Sequence, residues 1–244
     1  DDGAASPALP GGITVGAGNR TIEATRCFVG FAADADHLLV PGTTPDGVRI
    51  ALVPASHPTV RRRRHEELGR GEVYHVRFAR TPVTAWLGDA EDWAAVLATA
   101  RIRHASYLVG LAQGVLDLTV AYARQRHQFG QPIGRFQAIA FRLSSLTARV
   151  DAARLLTVDA ARLADSGGDP RYAASGCLAL AAELARTTTT EALQVHGASG
   201  MLERNDPQLF YRRAAVDAMW LGTPTQLRTE AVPLIRNRLN GDAA

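Results

Sequence analysis

The sequence predicts a mainly helical α+β chain, in which a partial antiparallel β-domain precedes an antiparallel bundle of four-helix type. Three observations support this fold class. Residues 1–89 are rich in Gly, Pro, Val and Thr, and their apolar runs are short. From residue 90 onward, apolar residues recur at steps of three and four. Short loops join these stretches, which favours antiparallel helices. We therefore place one domain in residues 1–89 and a second in residues 90–244.

The β-domain is predicted from alternation and turn signals. Tyr74, Val76 and Phe78 alternate with polar residues, as in a strand with one buried face. Pro–Gly and Pro–Asp–Gly sequences at residues 41–42 and 45–47 mark turns between apolar runs. The predicted strands occupy residues 21–31, 37–41, 47–54 and 72–79.

Three long helices and two shorter ones are predicted in the second domain. Ile102, Val109 and Leu116 share the face of the first helix, and Phe136 opens the stripe of the second. A Ser–Gly–Gly–Asp–Pro sequence at 166–170 separates the second helix from the third. The third ends in the glycines at 197–200, and the shorter helices are expected at about 207–220 and 224–238.

The charge distribution does not favour nucleic-acid binding. The net charge is +3, the sequence pI is about 9.2, and the chain contains no lysine. Arg61 to Arg64 form one short basic run, but Glu66 and Glu67 follow at once and no aromatic residue is interleaved. We therefore expect this run to be a solvated strand or loop.

The two cysteines give no metal or disulfide signature. Cys27 and Cys177 have neither CxxC spacing nor a neighbouring histidine cluster. A reducing cytoplasm is therefore the expected compartment. No apolar run approaches the roughly 20 residues needed to span a bilayer, and residue 1 is not followed by a secretory signal pattern.

Three segments combine glycines, amides and arginines between or after the predicted helices. Residues 126–137 lie between the first two helices and read, on their chemistry alone, as a loop with a solvated arginine. Arginine also suits a diphosphate, because its donors can grip two oxygens at once. Residues 191–200 read as a glycine-rich helix end. The third segment, residues 211–223, ends in Leu–Gly–Thr.

These segments together resemble the acyl-CoA dehydrogenase family. With Tyr122 and Ala123, residues 126–137 are similar to the signature Y-A-x-x-R-x-Q-F-G-x-P-I-x-x-F-Q. Residues 191–200 resemble D-A-x-Q-x-x-G-G-x-G, and residues 211–223 resemble Y-x-R-D-A-x-x-x-x-I-Y-E-G-T. In the β-domain, residues 26–40 are similar to the family segment that contains W-I-T-N. The resemblance covers roughly residues 20–240, and the family's N-terminal helical domain would precede them.

The resemblance implies FAD as the cofactor, with the loop and the third helix end reaching the FAD of a neighbouring subunit. Ala198 replaces a family glycine and Gly30 replaces a threonine, whereas Phe28 keeps an aromatic residue. His196 stands where the family commonly has an aromatic residue, so we expect it to pack. The implied cofactor-binding residues are Arg126, Gln128, Phe129, Ile133, Phe136, Gln194, Gly197, Ala198, Thr223, Phe28 and Gly30.

No catalytic base is evident. The family's reaction removes a proton from the carbon beside a thioester carbonyl, which needs a carboxylate within hydrogen-bond reach. Leu221 stands at the family's glutamate position, and Ala100 stands at the alternative one on the first long helix. Asp217, one turn before Leu221, is expected to cap or salt-link the helix surface. Arg101 and Trp220 are expected on the substrate side.

The leading hypothesis is an FAD-dependent acyl-CoA dehydrogenase-family subunit, in which a partner chain supplies the glutamate for α,β-dehydrogenation. The implied partners are a like or unlike chain of the same family, an acyl-CoA substrate, and electron-transfer flavoprotein or a similar acceptor. One alternative is a non-catalytic interaction or regulatory protein on the same fold, because fold does not fix function. Another is a flavin-dependent enzyme that acts on a carrier-bound thioester.

Overall fold

A computed structural model describes residues 10–239 of the chain. It divides the chain into two compact units, one up to Leu97 and one from Ala98 onward. The predicted mainly helical α+β class is confirmed, with antiparallel sheets in the first unit and five α-helices among the described residues. None of these helices combines the length and the apolar character that crossing a membrane requires. The boundary between residues 89 and 90 stays a prediction.

The first unit contains two antiparallel sheets. The four-stranded sheet has the order β1–β2–β6–β5, and the three-stranded sheet has the order β3–β4–β7. All four predicted strands are present, and three further strands, β1, β5 and β7, join them. The strands are β1 (Thr14–Val15), β2 (Thr21–Gly30), β3 (His37–Thr44), β4 (Gly47–Pro54), β5 (Val60–His65), β6 (Val73–Pro82) and β7 (Ala85–Leu87).

The core of this unit follows from the alternation in the strands. Val76 and Phe78 of β6 point inward with Ile22 of β2, and all three are almost completely buried. The arginine run lies on β5, an edge strand, where all four arginines are exposed. Charged side chains on an edge strand hinder pairing with another sheet. The run is therefore the solvated strand expected from the sequence.

The second unit is built on three long helices. The α1 helix is 36 residues long, and a two-stranded hairpin of β8 and β9 connects it to α2. The fourth helix ends earlier than predicted, because residues 218–220 form turns before Leu221 takes a positive φ. The elements are α1 (Ala90–Gln125), β8 (His127–Gln128), β9 (Gln131–Pro132), α2 (Gln137–Asp165), α3 (Arg171–His196), α4 (Asp206–Asp217) and α5 (Pro224–Leu239).

The bundle core combines long apolar side chains with alanines. Leu108 and Val109 of α1 are buried against the stripes of the other helices. On α3, Ala181, Ala182 and Ala185 are completely buried. Small side chains at these positions allow neighbouring helices to approach closely, and alanine also favours the helical state. This packing fixes the ends of α1 and α3, where the predicted site residues lie.

Candidate functional site

The hairpin after α1 presents Phe129 at its tip. His127 and Gln128 of β8 pair with Pro132 and Gln131 of β9, and Phe129 lies in the turn with φ of 51°. Its side chain is 92% exposed and meets Phe136 edge to face, with 6.2 Å between ring centroids. A bulky residue with positive φ is unusual. The hairpin therefore holds an aromatic side chain away from the bundle.

The base of this hairpin is anchored in the core. Ile133 is 7% exposed and its backbone N–H donates to the Arg126 carbonyl. Phe136 is half-buried against the core. A Cβ on Gly134 would lie 3.2 Å from the Ala123 carbonyl oxygen, so glycine allows the loop to lie close to α1. Direct contact of Ile133 and Phe136 with FAD stays a prediction.

The end of α3 meets the end of α1. The rings of Tyr122 and His196 stack with centroids 4.1 Å apart. The Ser199 hydroxyl donates to the His196 carbonyl over 2.7 Å, and it lies 3.4 Å from the Tyr122 hydroxyl. Gly197 ends the helix with φ of 59°, where a Cβ would meet no atom within 4 Å. The two glycine-rich motifs thus lie at the same end of the bundle, which we call the open end.

The open end carries polar side chains without partners. Across residues 10–239, neither the Arg126 guanidinium nor the Gln194 amide forms a hydrogen bond or ion pair, and both residues are exposed. Gln128 donates only to the neighbouring His127 carbonyl, over 2.9 Å. Ala198, beside Gly197, is also exposed. An exposed guanidinium and amide beside open backbone suit a phosphate-containing ligand.

We expect a packing role for His196 from the sequence. In the described part of the chain, one of its ring nitrogens, Nε2, is buried without a hydrogen-bond partner. Burial lowers the pKa of this imidazole, because removal from water disfavours the charged form.

Arg101 lies toward the other end of α1, inside the bundle. The residue is buried, with 5% of its surface exposed. Its Nε donates to the Leu221 carbonyl (3.0 Å), Nη1 to the Ser175 hydroxyl (3.1 Å) and Nη2 to the Glu230 carboxylate (2.6 Å). Three different elements therefore hold this guanidinium. The structure gives Arg101 the task of fixing the backbone at Leu221, and contact with a substrate stays a prediction.

The segment between α4 and α5 has a constrained backbone. Leu221 has φ of 61° and Gly222 has φ of 124°. Thr223 forms a capping box with Gln226: its N–H donates to the Gln226 amide oxygen, and its hydroxyl accepts from the Gln226 N–H. The Thr223 hydroxyl therefore caps α5. We call the region around Arg101 and Leu221 the closed end.

A second group of side chains, on α1, contacts the end of α4 just before the segment between α4 and α5. Tyr107 Oη donates to Asp217 Oδ2 over 2.6 Å, and His104 Nε2 lies 2.7 Å from the Asp217 carbonyl oxygen. The His104 ring stacks between Tyr107 and Trp220, at centroid distances of 5.7 and 6.3 Å. Burial and the bond to Asp217 raise the pKa of Tyr107, so its hydroxyl stays a donor. Sequence reasoning missed His104 and Tyr107, although their spacing from Arg101 places all three along one side of α1.

The open and closed ends are far apart along α1. Arg101 and Tyr122 are 21 positions apart, which at 1.5 Å per residue is about 30 Å. Thr223 lies at the closed end, whereas Arg126 and Gln194 lie at the open end. One copy of the chain therefore does not bring all of the predicted cofactor residues together.

Phe28 lies in a bulge of the first unit. The pairing of β2 with β6 shifts between Arg26 and Val29, and Phe28 takes φ of 56° with 53% exposure. Its ring meets His65 edge to face at 5.0 Å. Gly30 stays in the ladder opposite Val73. The bulge leaves the aromatic side chain of Phe28 half-exposed, and contact of Phe28 and Gly30 with FAD stays a prediction.

Positive φ values mark several of the predicted site positions. Seven non-glycine residues of the described chain have positive φ, and Phe28, Phe129 and Leu221 are among them. Strained backbone of this kind concentrates at functional sites. No group of three or more potential metal ligands occurs within residues 10–239.

The sequence matches a known family model. The model described as "Acyl-CoA dehydrogenase, C-terminal domain" matches residues 93–230. Probable acyl-CoA dehydrogenase YngJ of Bacillus subtilis is 34% identical to the chain, over 83% of the chain and 57% of that relative. Cyclohex-1-ene-1-carbonyl-CoA dehydrogenase of Geobacter metallireducens is 31% identical over the same shares. The chain thus spans little more than half the length of these relatives.

A solved structure agrees with the sequence matches. The ChsE4–ChsE5 complex from Mycobacterium tuberculosis superposes with a TM-score of 0.82 at 28% identity, over 92% of this chain and 63% of the solved one. The family match extends through α1 to α5 and so includes both the open and the closed end. The chain therefore belongs to the acyl-CoA dehydrogenase family.

Proposed function

We propose that the chain is a subunit of an FAD-dependent acyl-CoA dehydrogenase that completes the FAD site of a neighbouring chain. The observation that carries this proposal is the open end, where Arg126 and Gln194 lie exposed and form no hydrogen bond or ion pair within residues 10–239. The stacked pair of Tyr122 and His196 joins their two motifs. The function is the α,β-dehydrogenation of an acyl-CoA thioester, and an electron-transfer flavoprotein or similar acceptor would take the electrons.

The residues at the open end fit FAD. A diphosphate needs charge-assisted donors, which Arg126 can provide, and Gln194 and Gln128 add amide donors. Gly197, with positive φ and open space around it, allows close approach of the cofactor to the backbone. Phe129 has an exposed ring against which the cofactor could pack. FAD, when bound, would supply the redox chemistry as a hydride acceptor.

The separation of the two ends supports a site shared between chains. Because about 30 Å of α1 lies between Arg101 and Tyr122, Thr223 and Arg126 of one copy would serve different cofactors. The open end of one chain would therefore complete a site whose other wall belongs to its neighbour.

We propose an unlike neighbour of the same family that supplies the catalytic glutamate. Leu221 and Ala100 occupy the positions where the family has this carboxylate, and neither can accept a proton. Asp217 is held by Tyr107, which supports a structural role for that carboxylate. The structure that resembles this chain at 28% identity is that of a ChsE4–ChsE5 complex, and it supports an assembly of unlike chains by analogy.

The test is FAD retention by the chain co-purified with its partner. Arg126→Ala removes the donor without disturbing any contact in the chain, so we expect at least about a tenfold loss of FAD affinity, as for a charge-assisted hydrogen bond. Arg135→Ala is the matched control, because Arg135 is an exposed arginine of the same loop. Absorbance of bound flavin gives the result. Unchanged flavin content in Arg126→Ala would contradict the assignment.

The same co-purified preparation distinguishes the proposed function from the two alternative functions. Flavin together with acyl-CoA-dependent bleaching only in the co-purified complex supports the proposed function. Flavin that is bleached by a carrier-bound thioester but not by acyl-CoA would favour the altered enzyme. A complex that forms normally but contains no flavin would favour the non-catalytic interaction protein.

A further inference from the structure

His104 follows Ala100 by one helical turn and contacts the residue before Leu221, and the resemblance places the family's catalytic carboxylate at Ala100 or Leu221. His104 lies one turn after Ala100 on α1, so the two side chains are neighbours on one face of the helix. Its ring stacks with Trp220, the residue before Leu221, at 6.3 Å. Ala100, His104 and Leu221 are all half-buried. An imidazole therefore stands beside the place that carboxylates occupy in other members.

The hydrogen bond of His104 determines which nitrogen can accept a proton. Its Nε2 atom lies 2.7 Å from the Asp217 carbonyl oxygen, which can only accept. Nε2 must therefore carry the hydrogen. The other nitrogen, Nδ1, has no hydrogen-bond partner within residues 10–239. In the neutral ring this nitrogen holds a free lone pair, which is the form that a general base requires.

The ring is positioned by contacts from two helices. Asp217 is the last residue of α4, and its carbonyl oxygen lies beside Nε2 of His104. The Asp217 carboxylate accepts from Tyr107 on the same side of α1. The arrangement orients the imidazole through one nitrogen and leaves the other available.

We propose that His104 is the general base of the acyl-CoA site built on this chain. This rests on the proposed function and extends it, because the partner's glutamate would serve only the site built on the partner. Nδ1 of His104 would take the proton from the carbon beside the thioester carbonyl, breaking the C–H bond and forming an N–H bond. FAD, when bound, would supply the two-electron oxidant that accepts the hydride of the next carbon.

The test measures proton removal separately from oxidation. The natural full-length chain is assembled with a partner whose catalytic glutamate is replaced by glutamine, and FAD content is measured by absorbance. The probe is a 3-thiaacyl-CoA, whose sulfur prevents hydride loss, and mass spectrometry follows deuterium uptake at the α-carbon in D₂O. We expect exchange, and a loss of about 100-fold or more in His104→Gln. The glutamine amide can still donate to the Asp217 carbonyl, so the fold is preserved.

Two further variants make the result specific. His37→Gln changes an exposed histidine of β3 and should leave exchange unchanged. Adding Leu221→Glu to His104→Gln should restore exchange.

The outcomes separate this inference from the proposed function. Flavin-loaded assemblies in which exchange is undetectable, or equal in His104→Gln and the unchanged chain, would overturn the role of His104 and leave the proposed function intact. Assemblies that form without FAD would overturn both. Exchange that depends on His104 and not on His37 supports the assignment.

Discussion

The two ends of the bundle differ in how their arginines are buried and paired. At the closed end, the Arg101 guanidinium is buried and its donors reach Leu221, Ser175 and Glu230. At the open end, the Arg126 guanidinium is exposed and has no partner in the described part of the chain. The same functional group therefore serves internal geometry at one end and remains available for another molecule at the other.

This difference indicates which end depends on a second molecule. The closed end pairs the Arg101 guanidinium within the chain, so internal contacts hold the backbone at Leu221. The open end exposes Phe129, and the buried Nε2 of His196 has no hydrogen-bond partner among the described residues. Changes to Arg101 should therefore alter stability, and changes to Arg126 should alter binding.

The largest effect on stability is expected from Arg101→Ala. The substitution removes a buried cation from the partly buried Glu230 carboxylate and a donor from the Leu221 carbonyl, which should cost about 3 kcal/mol. Urea unfolding, followed by far-UV circular dichroism, measures the free energy of unfolding. Arg228→Ala is the control, because its pair with Glu183 is exposed and should contribute about 1 kcal/mol or less. If both variants lose the same free energy of unfolding, the contacts of Arg101 at the closed end contribute no more than an exposed ion pair.

A smaller effect is expected from Tyr107→Phe. It removes the hydroxyl that donates to the Asp217 carboxylate over 2.6 Å, and the expected loss is about 1 kcal/mol. Tyr172→Phe, at an exposed tyrosine of α3, should change the free energy of unfolding by less than about 0.5 kcal/mol. The same urea titrations give both values. If Tyr107→Phe leaves the free energy of unfolding unchanged, the contact with Asp217 does not stabilise α4.

The smallest effect is expected at the open end, from His196→Phe. Burial lowers the pKa of His196, so the unfolded chain binds its proton more readily than the folded one. The contribution to stability is complete above the unfolded value, about pH 6.5, and is lost as the pH falls toward the folded value. Between pH 7.5 and 5.5, the melting temperature of the unchanged chain should therefore fall about 2 °C further than that of the variant.

The control for this measurement is His127→Phe, at an exposed histidine of the hairpin. It should keep the pH dependence of the unchanged chain. If both variants show the same dependence as the unchanged chain, the burial of His196 has no influence on stability.

The regular elements could be predicted from the sequence because their signals are local. The apolar spacing of Ile102, Val109 and Leu116 lies within one helix, and the alternation of Tyr74, Val76 and Phe78 lies within one strand. The glycine-rich break at 166–170 likewise falls between α2 and α3. Each of these patterns reports a periodicity that the backbone itself imposes.

The closed end could not be predicted in this way, because its contacts are distant in sequence. Arg101 bonds Leu221 across 120 positions and Glu230 across 129. The sequence placed Arg101 correctly on α1 but could not show which way its donors point. The motifs at the open end were found because their glycines and amides are contiguous, although the stacking of Tyr122 on His196 was not anticipated.

The backbone at Leu221 limits which residues can evolve there. A left-handed conformation costs most L-amino acids roughly 1–2 kcal/mol, and the bond from Arg101 to the Leu221 carbonyl opposes relaxation. Tolerance at this position should therefore follow conformational preference, with glycine and asparagine accepted easily and β-branched residues poorly. The backbone geometry at this position should therefore restrict substitutions before any side-chain chemistry does.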